Sequence, residues 1–264
     1  YLVGSDQVWR AKVYTYIDYA FFVFVESNKP VLLSYAASFG VESWEYTATQ
    51  TLKYKKQLNR FSGISVREDS GVELCKKYFE KQATLVLDPT MLLTPDNYRE
   101  LVDQEDEPDH QGDILTYILD INEDKQNVID IAAKELKYRP FKVNVASKNE
   151  IEEIADMTYP TVTSWLKGFD NAAFVITDSF HGCVFAILFN KPFIAYGNEA
   201  RGMARFKSLL KMFGLEDRLI VGSYDVNVAK ITKKIDWGSV NLKLNKYRKI
   251  SHDYLVETLQ TKNC

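Results

Sequence analysis

Residues 173–189 have the sequence AFVITDSFHGCVFAILF, and this stretch decides the fold class. The first five residues form a short apolar run with β-branched side chains, which predicts a buried strand. Asp178 and Ser179 interrupt the run, and a second apolar segment with the length of a helix follows. A strand that passes through a polar turn into a helix is the repeating element of parallel α/β sheets.

The same alternation extends along the chain in both directions. Apolar runs predict strands at 31–35, 63–66, 83–87, 114–119, 141–145, 173–177 and 192–196, and residues 1–4 predict the end of a further buried strand. Helices are predicted at 47–61, 70–79, 125–136, 163–169, 179–189, 203–213, 226–235 and 241–259. The fold class is therefore α/β, with two Rossmann-like, doubly wound parallel-sheet domains.

An acidic stretch at 103–109 lacks periodicity and contains a proline, which predicts the connection between the domains. We expect residues 1–102 to be the remaining part of the N-terminal Rossmann-like domain and residues 110–238 to form the C-terminal one. Residues 239–264 predict a helix that packs back on the first domain. Because the chain starts with Tyr1 inside a predicted strand, we expect the first domain to lack its N-terminal portion.

Composition excludes several classes of protein. The net charge of −3 gives no electrostatic footprint for nucleic acid. The apolar runs are shorter than the roughly 18 residues of a membrane span, so we expect no integral membrane segment. Three scattered cysteines indicate reduced thiols rather than a disulfide framework, and no metal-ligand spacing is visible. We expect a cytoplasmic protein with no metal and no cofactor.

His181 is the main candidate for a catalytic residue. Ligands of parallel α/β proteins bind beyond the carboxyl ends of the strands, and His181 falls just past the strand at 173–177. It opens an apolar helix, with Gly182 beside it, and a helix N-terminus suits a phosphate. A histidine there can contact an anion or transfer a proton near neutral pH. The alternative is a structural histidine in the first turn of the helix.

Arg67 is the second candidate, because it directly follows an apolar strand. Its planar guanidinium matches a carboxylate or a phosphate. The alternative is an ion pair with one of the two acidic residues that follow it, Glu68 and Asp69, or a helix-capping role for that acidic pair.

Further polar residues follow other predicted strands. Arg201 and Arg205 come after the strand at 192–196, where each could bind an anion or form a surface ion pair. Ser38 follows the strand at 31–35 and adds a hydroxyl at the same edge.

Three aspartates also follow predicted strands. Asp6 is a candidate general base, Asp88 before a proline indicates a turn, and Asp178 could cap a helix or orient His181. Trp9, near the Asp6 turn, is a candidate for stacking on a sugar.

Five motifs in order resemble the polysaccharide pyruvyl transferase family: Val3–Trp9, Ser34–Gly40, Ser65–Ser70, Asp88–Thr90 and Thr177–Gly182. The resemblance covers nearly the whole chain and implies a two-domain fold like that of the GT-B glycosyltransferases. It also implies transfer of the enolpyruvyl carbons of phosphoenolpyruvate onto two hydroxyls of a sugar, giving a pyruvate ketal. The partners would be phosphoenolpyruvate and a sugar or lipid-linked saccharide acceptor of a bacterial surface polysaccharide.

One departure concerns the donor. Many members of the family carry an arginine two residues before the histidine, where this chain has Ser179. We therefore assign Ser179 and Gly182 to substrate binding and expect Arg67 or Arg201 to supply the missing cation. In this hypothesis His181 binds phosphate or transfers a proton and Asp6 is the base. Arg67 and His181 are expected to line one cleft.

Two alternatives to pyruvyl transfer stay open. One is a GT-B-type glycosyltransferase with a nucleotide-sugar donor, since a diphosphate would suit the same helix N-terminus. The other is a non-catalytic, carbohydrate-binding relative, for which the serine at position 179 is the main support.

Overall fold

A computed structural model describes residues 1–27, 29–143, 160–197 and 202–260. The chain forms two compact units. The first unit contains Tyr1–Leu92, Glu199–Gly214 and Asn241–Cys264, and the second contains Leu93–Asn198 and Leu215–Val240. Strands and helices alternate in each unit and every strand pair is parallel, which confirms the predicted α/β class.

The strands are β1 (Leu2–Val3), β2 (Leu33–Ser34), β3 (Ser65–Val66), β4 (Thr84–Leu85), β5 (Ile114–Tyr117), β6 (Pro140–Phe141), β7 (Phe174–Thr177), β8 (Phe193–Tyr196) and β9 (Leu219–Ile220). The helices are α1 (Ile17–Ala20), α2 (Ala48–Leu58), α3 (Asp69–Leu74), α4 (Pro95–Val102), α5 (Glu123–Leu136), α6 (Val162–Asn171), α7 (Phe180–Leu188), α8 (Met203–Phe213), α9 (Val228–Thr232) and α10 (Trp237–Gln260). A π-helical turn at Cys75–Phe79 continues α3, and 3-10 turns lie at Pro89–Leu92, Glu216–Arg218 and Ser223–Asp225.

In the first unit, β1 pairs with β2 and β3 pairs with β4. A parallel bridge between Ala37 and Val66 joins the two pairs. Two buried serines strengthen this junction, because the Ser34 hydroxyl donates to the Ser65 carbonyl at 3.0 Å and the Ser65 hydroxyl donates to the Ser34 carbonyl at 2.8 Å. The carboxyl ends of these strands consequently lie at the same edge.

The core of the first unit is rich in stacked aromatic rings. Phe21 stacks between Trp9 and Tyr54, with ring centroids at 5.2 and 4.2 Å, and all three side chains are buried. Such pairs contribute about 0.5–1.5 kcal/mol each beyond the area they bury. Helix α10 also packs on this unit, where the Tyr254 hydroxyl donates to the Ser34 carbonyl at 2.7 Å.

The second unit contains a five-stranded parallel sheet with the order β6-β5-β7-β8-β9. Strand β6 lies on one side of β5, whereas β7, β8 and β9 follow one another on the other side. The direction in which successive strands are added therefore reverses between β5 and β7. In open parallel sheets this reversal is the topological switch point, where ligands bind beyond the carboxyl ends of the strands. Helix α7, which follows β7, therefore starts beside the switch point.

Several predicted boundaries differ from the structure. Tyr1 and Leu2 are exposed while Val3 is buried, so the first strand is only partly buried, because β1 pairs with β2 alone. The helix predicted at 226–235 is limited to α9, which follows a 3-10 turn. The strand predicted at 141–145 begins with β6, and residues 144 and 145 lie outside the described residues.

The predicted domain bounds also need correction. The units divide after Leu92, so the acidic stretch at 103–109 lies within the second unit rather than between domains. There Glu107 accepts a 2.6 Å hydrogen bond from the Thr163 hydroxyl. Helix α8, predicted in the C-terminal domain, belongs to the first unit.

Candidate functional site

Arg67 connects the ends of three strands in the first unit. From the end of β3, its Nη1 donates to Asp88 Oδ2 at 2.7 Å and to Ser5 Oγ at 2.9 Å, and its Nη2 donates to Asp6 Oδ1 at 3.1 Å. Asp88 and Asp6 follow β4 and β1, so the three residues meet because parallel strands bring their carboxyl ends to one edge. Arg67 thus pairs with two carboxylates that are distant from it in sequence.

Asp88, predicted as a turn residue, is a buried partner of Arg67. Each of the two side chains is only 1% exposed. The second oxygen of Asp88 accepts hydrogen bonds from the Thr90 hydroxyl at 2.8 Å and the Thr90 N–H at 3.2 Å. A buried ion pair is stable only when such additional hydrogen bonds offset the loss of hydration. Because both terminal nitrogens of Arg67 bind protein groups, this arginine is arranged to position Asp6.

Asp6 is the accessible member of this group, with a side chain that is 69% exposed. Burial raises the pKa of Asp6, but the charges of Arg67 and Arg205 and a hydrogen bond from the Gln7 N–H outweigh that effect and lower it below its usual value. Its backbone has a φ of +81°, a strained conformation for a residue other than glycine. The result is an ionised carboxylate held at a strand end.

Arg205 reaches the same carboxylate from α8. Its Nη1 lies 3.8 Å from Asp6 Oδ1. Burial, together with the nearby charge of Arg67, lowers the pKa of Arg205 to about 10. Gly202 has a φ of +98° at the N-cap of α8, and a Cβ there would lie 2.6 Å from the Gly40 carbonyl oxygen. The glycine therefore allows α8 to start close to the loop that follows β2.

Ser38 lies in that loop, which is held by Glu68, a residue that the sequence suggested only as an ion-pair partner of Arg67 or a helix cap. Glu68 is fully buried, and its Oε1 accepts hydrogen bonds from the Phe39 N–H at 2.6 Å and the Gly40 N–H at 3.0 Å. Burial raises the pKa of Glu68, against the opposing effects of the Arg67 charge and of the hydrogen bonds from the Gly40 and Phe39 N–H groups. The signal in the sequence was an acidic residue two positions after a buried strand.

In the second unit, His181 is the side chain of α7 that reaches the surface. The structure describes all nine residues of α7, and each of the others is buried while His181 is partly exposed. The ring lies in the first turn of the helix, at 5.4 Å from the ring of Phe180. A buried, otherwise apolar helix thus carries a histidine beside the switch point.

The start of α7 has an unusual cap. Ser179 is the N-cap residue, but its side chain makes no capping hydrogen bond. Asp178, which was expected to cap this helix, binds the loop after β5 instead. Its Oδ1 accepts from the Leu119 N–H at 2.7 Å, and its Oδ2 accepts from Lys125 Nζ at 2.7 Å. Lys125 is buried and was not predicted, because a lysine near a helix start usually faces solvent.

Gly182 lets α7 approach the end of β7. A Cβ at this position would lie 2.1 Å from Thr177 Oγ1. That hydroxyl donates to the Tyr117 carbonyl at 2.7 Å and accepts from the Ser179 N–H at 3.0 Å, so it ties β5, β7 and the helix start together. A side chain at position 182 would displace this hydroxyl.

The structure thus groups Asp6, Arg67, Ser38 and Arg205 in the first unit and Ser179, His181 and Gly182 in the second. The expectation that Arg67 and His181 line one cleft stays a prediction. Arg201 lies outside the described residues. Trp9 cannot stack on a sugar, because it is completely buried and its indole N–H donates to the Ala20 carbonyl at 3.2 Å.

Neither a membrane span nor a metal cluster is found in the part of the chain that the structure describes. None of its described helices combines the length and apolarity needed to cross a bilayer. The described residues also contain no group of three or more histidine, cysteine, aspartate or glutamate side chains placed to hold a metal ion.

These features define a doubly wound α/β protein with polar clusters at the carboxyl ends of its strands. Residues 1–199 match the family model "Polysaccharide pyruvyl transferase", which is well over half of the 264 residues. The chain belongs to the polysaccharide pyruvyl transferase family. No curated protein matches the chain significantly.

Solved structures match this chain at low sequence identity. The structure of accessory secretory protein 1, 2 and 3 in Streptococcus pneumoniae is 10% identical with a TM-score of 0.54, and the match covers 99% of this chain and 54% of that one. This chain therefore spans about half of that protein's length. The wall teichoic acid polymerase TagF has 12% identity, a TM-score of 0.45 and coverage of 92% and 71%. A glycosyltransferase from Rickettsia africae ESF-5 has 14% identity, a TM-score of 0.41 and coverage of 100% and 77%.

Proposed function

We propose that this protein transfers the pyruvyl group of phosphoenolpyruvate to two hydroxyls of a sugar in a bacterial surface polysaccharide or its lipid-linked precursor. The observation that carries the proposal is the position of His181, the partly exposed residue of a buried helix that starts beside the switch point. Family membership supplies the class of reaction. Two buried free thiols, Cys75 and Cys183, support a cytoplasmic location.

At the central carbon of the donor, two C–O bonds form while the C–O bond to phosphate and the π bond to the vinyl carbon break. Two sugar oxygens bond to the central carbon of the donor, the bond from that carbon to the phosphate oxygen breaks, and the vinyl carbon becomes a methyl group. Of the two hydroxyl protons released, one balances the proton gained by the methyl carbon and the other leaves with inorganic phosphate. The enzyme must therefore supply an acid at the vinyl carbon, a base at the hydroxyls and a site for the phosphate.

His181 is the proposed acid and phosphate ligand. An imidazolium can donate a proton to the vinyl carbon or to the departing phosphate. The start of α7 adds the positive end of the helix dipole, which favours a phosphate near Ser179 and Gly182.

Asp6 is the proposed base. Arg67 and Arg205 keep its carboxylate ionised, and its exposure makes it accessible to an acceptor hydroxyl. A lowered pKa weakens a base, but it ensures that the group is deprotonated at the pH of the cytoplasm. In this scheme Arg67 is a positioning residue and does not bind the donor directly.

The test is release of inorganic phosphate from phosphoenolpyruvate in the presence of acceptor. We expect His181→Ala to lower kcat by about 100-fold or more, the usual contribution of general acid–base catalysis. His252→Ala is the matched control, because His252 is an exposed histidine of α10. Equal folding is checked by circular dichroism, and unchanged turnover in His181→Ala would remove the residue from the mechanism.

A glycosyltransferase with a nucleotide-sugar donor is the second candidate. It is favoured by Ser179 in the place of an arginine and by the burial of Arg67 among carboxylates, which together remove two expected donor ligands. Thermal stabilisation by phosphoenolpyruvate but not by uridine diphosphate sugars supports pyruvyl transfer, and the reverse supports the alternative.

A further inference from the structure

A row of exposed aromatic rings runs along the surface of the first unit. Its members are Tyr16, Tyr19, Phe24 and Tyr1, each more than half exposed. Neighbouring ring centroids lie 6.1, 5.8 and 5.8 Å apart in that order, so the four rings form one continuous surface. Exposed aromatic rings in a contiguous group commonly mark a binding surface.

A cavity of about 500 Å³ lies beside this row, and Tyr16 and Tyr19 form part of its wall. Helix α2 supplies Gln50, Lys53 and Tyr54 to the opposite side. The volume falls within the range of about 300–1,000 Å³ that is typical of small-molecule sites.

The cavity contains a fixed charged pair. Asp18 Oδ1 accepts hydrogen bonds from Lys53 Nζ at 2.7 Å and from the Tyr54 hydroxyl at 2.8 Å. The hydrogen bond from Lys53 is the main reason why the pKa of Asp18 lies below its usual value. Tyr54 is held in turn by its stacking on Phe21 in the core. The carboxylate is therefore ionised and pre-oriented before any ligand arrives.

We infer that the row and the cavity together bind a saccharide chain. Sugar rings present C–H faces, which pack on exposed aromatic rings, and hydroxyls, which donate to a carboxylate and accept from an ammonium group. The spacing of the rings is comparable with the length of a single sugar residue. Tyrosines suit this role because each combines an apolar ring with a polar hydroxyl at low conformational cost.

The site is separate from the proposed base. Tyr1 precedes β1 and Asp6 follows it, so the row starts at the opposite end of this strand from Asp6. The saccharide would be another part of the polymeric acceptor. This identity of the saccharide rests on the proposed function. Two attachment points on one polymer raise its effective concentration at the transfer site without any new contact there.

A protein partner is a poorer match for this surface. The ion pair between Asp18 and Lys53 lies within the concave part, and an apolar partner would bury it without replacing its hydration. Self-association of the protein through the row would therefore oppose the inference.

The test is native affinity electrophoresis of the intact protein in gels that contain linear polymers of glucose, galactose, mannose or N-acetylglucosamine. We expect at least one polymer to retard the wild type, and Tyr19→Ala to weaken that retardation about tenfold. Tyr224→Ala is the matched control, since this tyrosine of the second unit is 80% exposed. No retardation of the wild type by any polymer, or equal retardation of Tyr19→Ala, would overturn the inference.

Two further variants separate this inference from the proposed function. Asp18→Asn is expected to weaken retardation, because the amide keeps an acceptor for Lys53 but loses the charge. His181→Ala is expected to be retarded like the wild type, so a failure of pyruvyl transfer would leave the saccharide site standing. A dimer in gel filtration that Tyr19→Ala abolishes would identify the row as a self-association surface and overturn the inference.

Discussion

Asp88→Asn is the substitution that most directly tests how the first unit holds its candidate base. Arg67 and Asp88 are each 1% exposed, and Arg67 Nη1 lies 2.7 Å from Asp88 Oδ2. Removing one partner of a buried ion pair leaves the other charge uncompensated, which typically costs about 3–5 kcal/mol.

The structure indicates the lower end of that range. Arg67 keeps its hydrogen bonds to Ser5 and Asp6, and an asparagine carbonyl can still accept one hydrogen bond from the guanidinium. We expect a loss of about 3 kcal/mol in the free energy of unfolding, which lowers the folding equilibrium constant about 100-fold, because 1.4 kcal/mol is a factor of ten.

The assay is urea unfolding followed by circular dichroism, with Asp253→Asn as the control. Asp253 pairs with Lys249 at a similar 2.8 Å, but those two side chains are 50% and 77% exposed. An exposed pair of this kind contributes about 0.3–0.5 kcal/mol. If Asp88→Asn lost no more stability than Asp253→Asn, the account of Arg67 as a buried positioning residue would be wrong.

Other perturbations test the remaining parts of the account. The pKa of Asp6 is lowered in the folded state, so its contribution to stability is complete above its usual value of 3.8 and is lost as the pH falls through the folded value. The penalty of Asp6→Asn in urea unfolding should therefore shrink on acidification. Glu68 has a raised pKa, so its contribution is complete below 4.5 and is lost as the pH rises through the folded value. Glu68→Gln should therefore become more stable relative to wild type as the pH rises from acidic to neutral. If the stability differences of Asp6→Asn and Glu68→Gln from wild type changed with pH in the same direction, these two pKa directions would be wrong. Gly182→Ala should lose about 1–3 kcal/mol from overpacking, which thermal unfolding measures and an unchanged melting temperature would refute. Burial raises the pKa of the Cys75 and Cys183 thiols, so both should react with a disulfide reagent only after denaturation, and rapid reaction of the native protein would contradict this.

Much of the candidate site could be predicted from strand ends alone. Parallel strands bring their carboxyl ends to one edge, which explains why Asp6 and Arg67 meet although 61 positions separate them. Asp88 was misread because an aspartate before a proline is usually a turn residue. Its burial against Arg67 depends on tertiary packing, which local sequence does not encode.

Domain bounds were harder to predict. Composition placed the connection at the acidic stretch, but the polar helix α4 that precedes it already belongs to the second unit. The pattern of α8 predicts a helix without saying which unit it packs on. Its place in the first unit depends on the close approach of Gly202 to Gly40, which only the structure reveals.

In the second unit, too, one residue of interest could be predicted from the sequence and another could not. His181 could be identified because it interrupts an apolar helix just past a buried strand, and both features are visible in the sequence. Lys125 could not, since its burial arises from the ion pair with Asp178 across neighbouring strand ends.

The central claim is that a proton reaches the vinyl carbon of phosphoenolpyruvate as two sugar oxygens bond to its neighbour. The most direct measurement is the reaction in deuterated water, followed by nuclear magnetic resonance of the product methyl group. We expect a ketal methyl that carries a single deuterium and that forms about 100-fold more slowly with His181→Ala. Phosphate release without a ketal methyl, or a ketal whose methyl contains no deuterium, would contradict it.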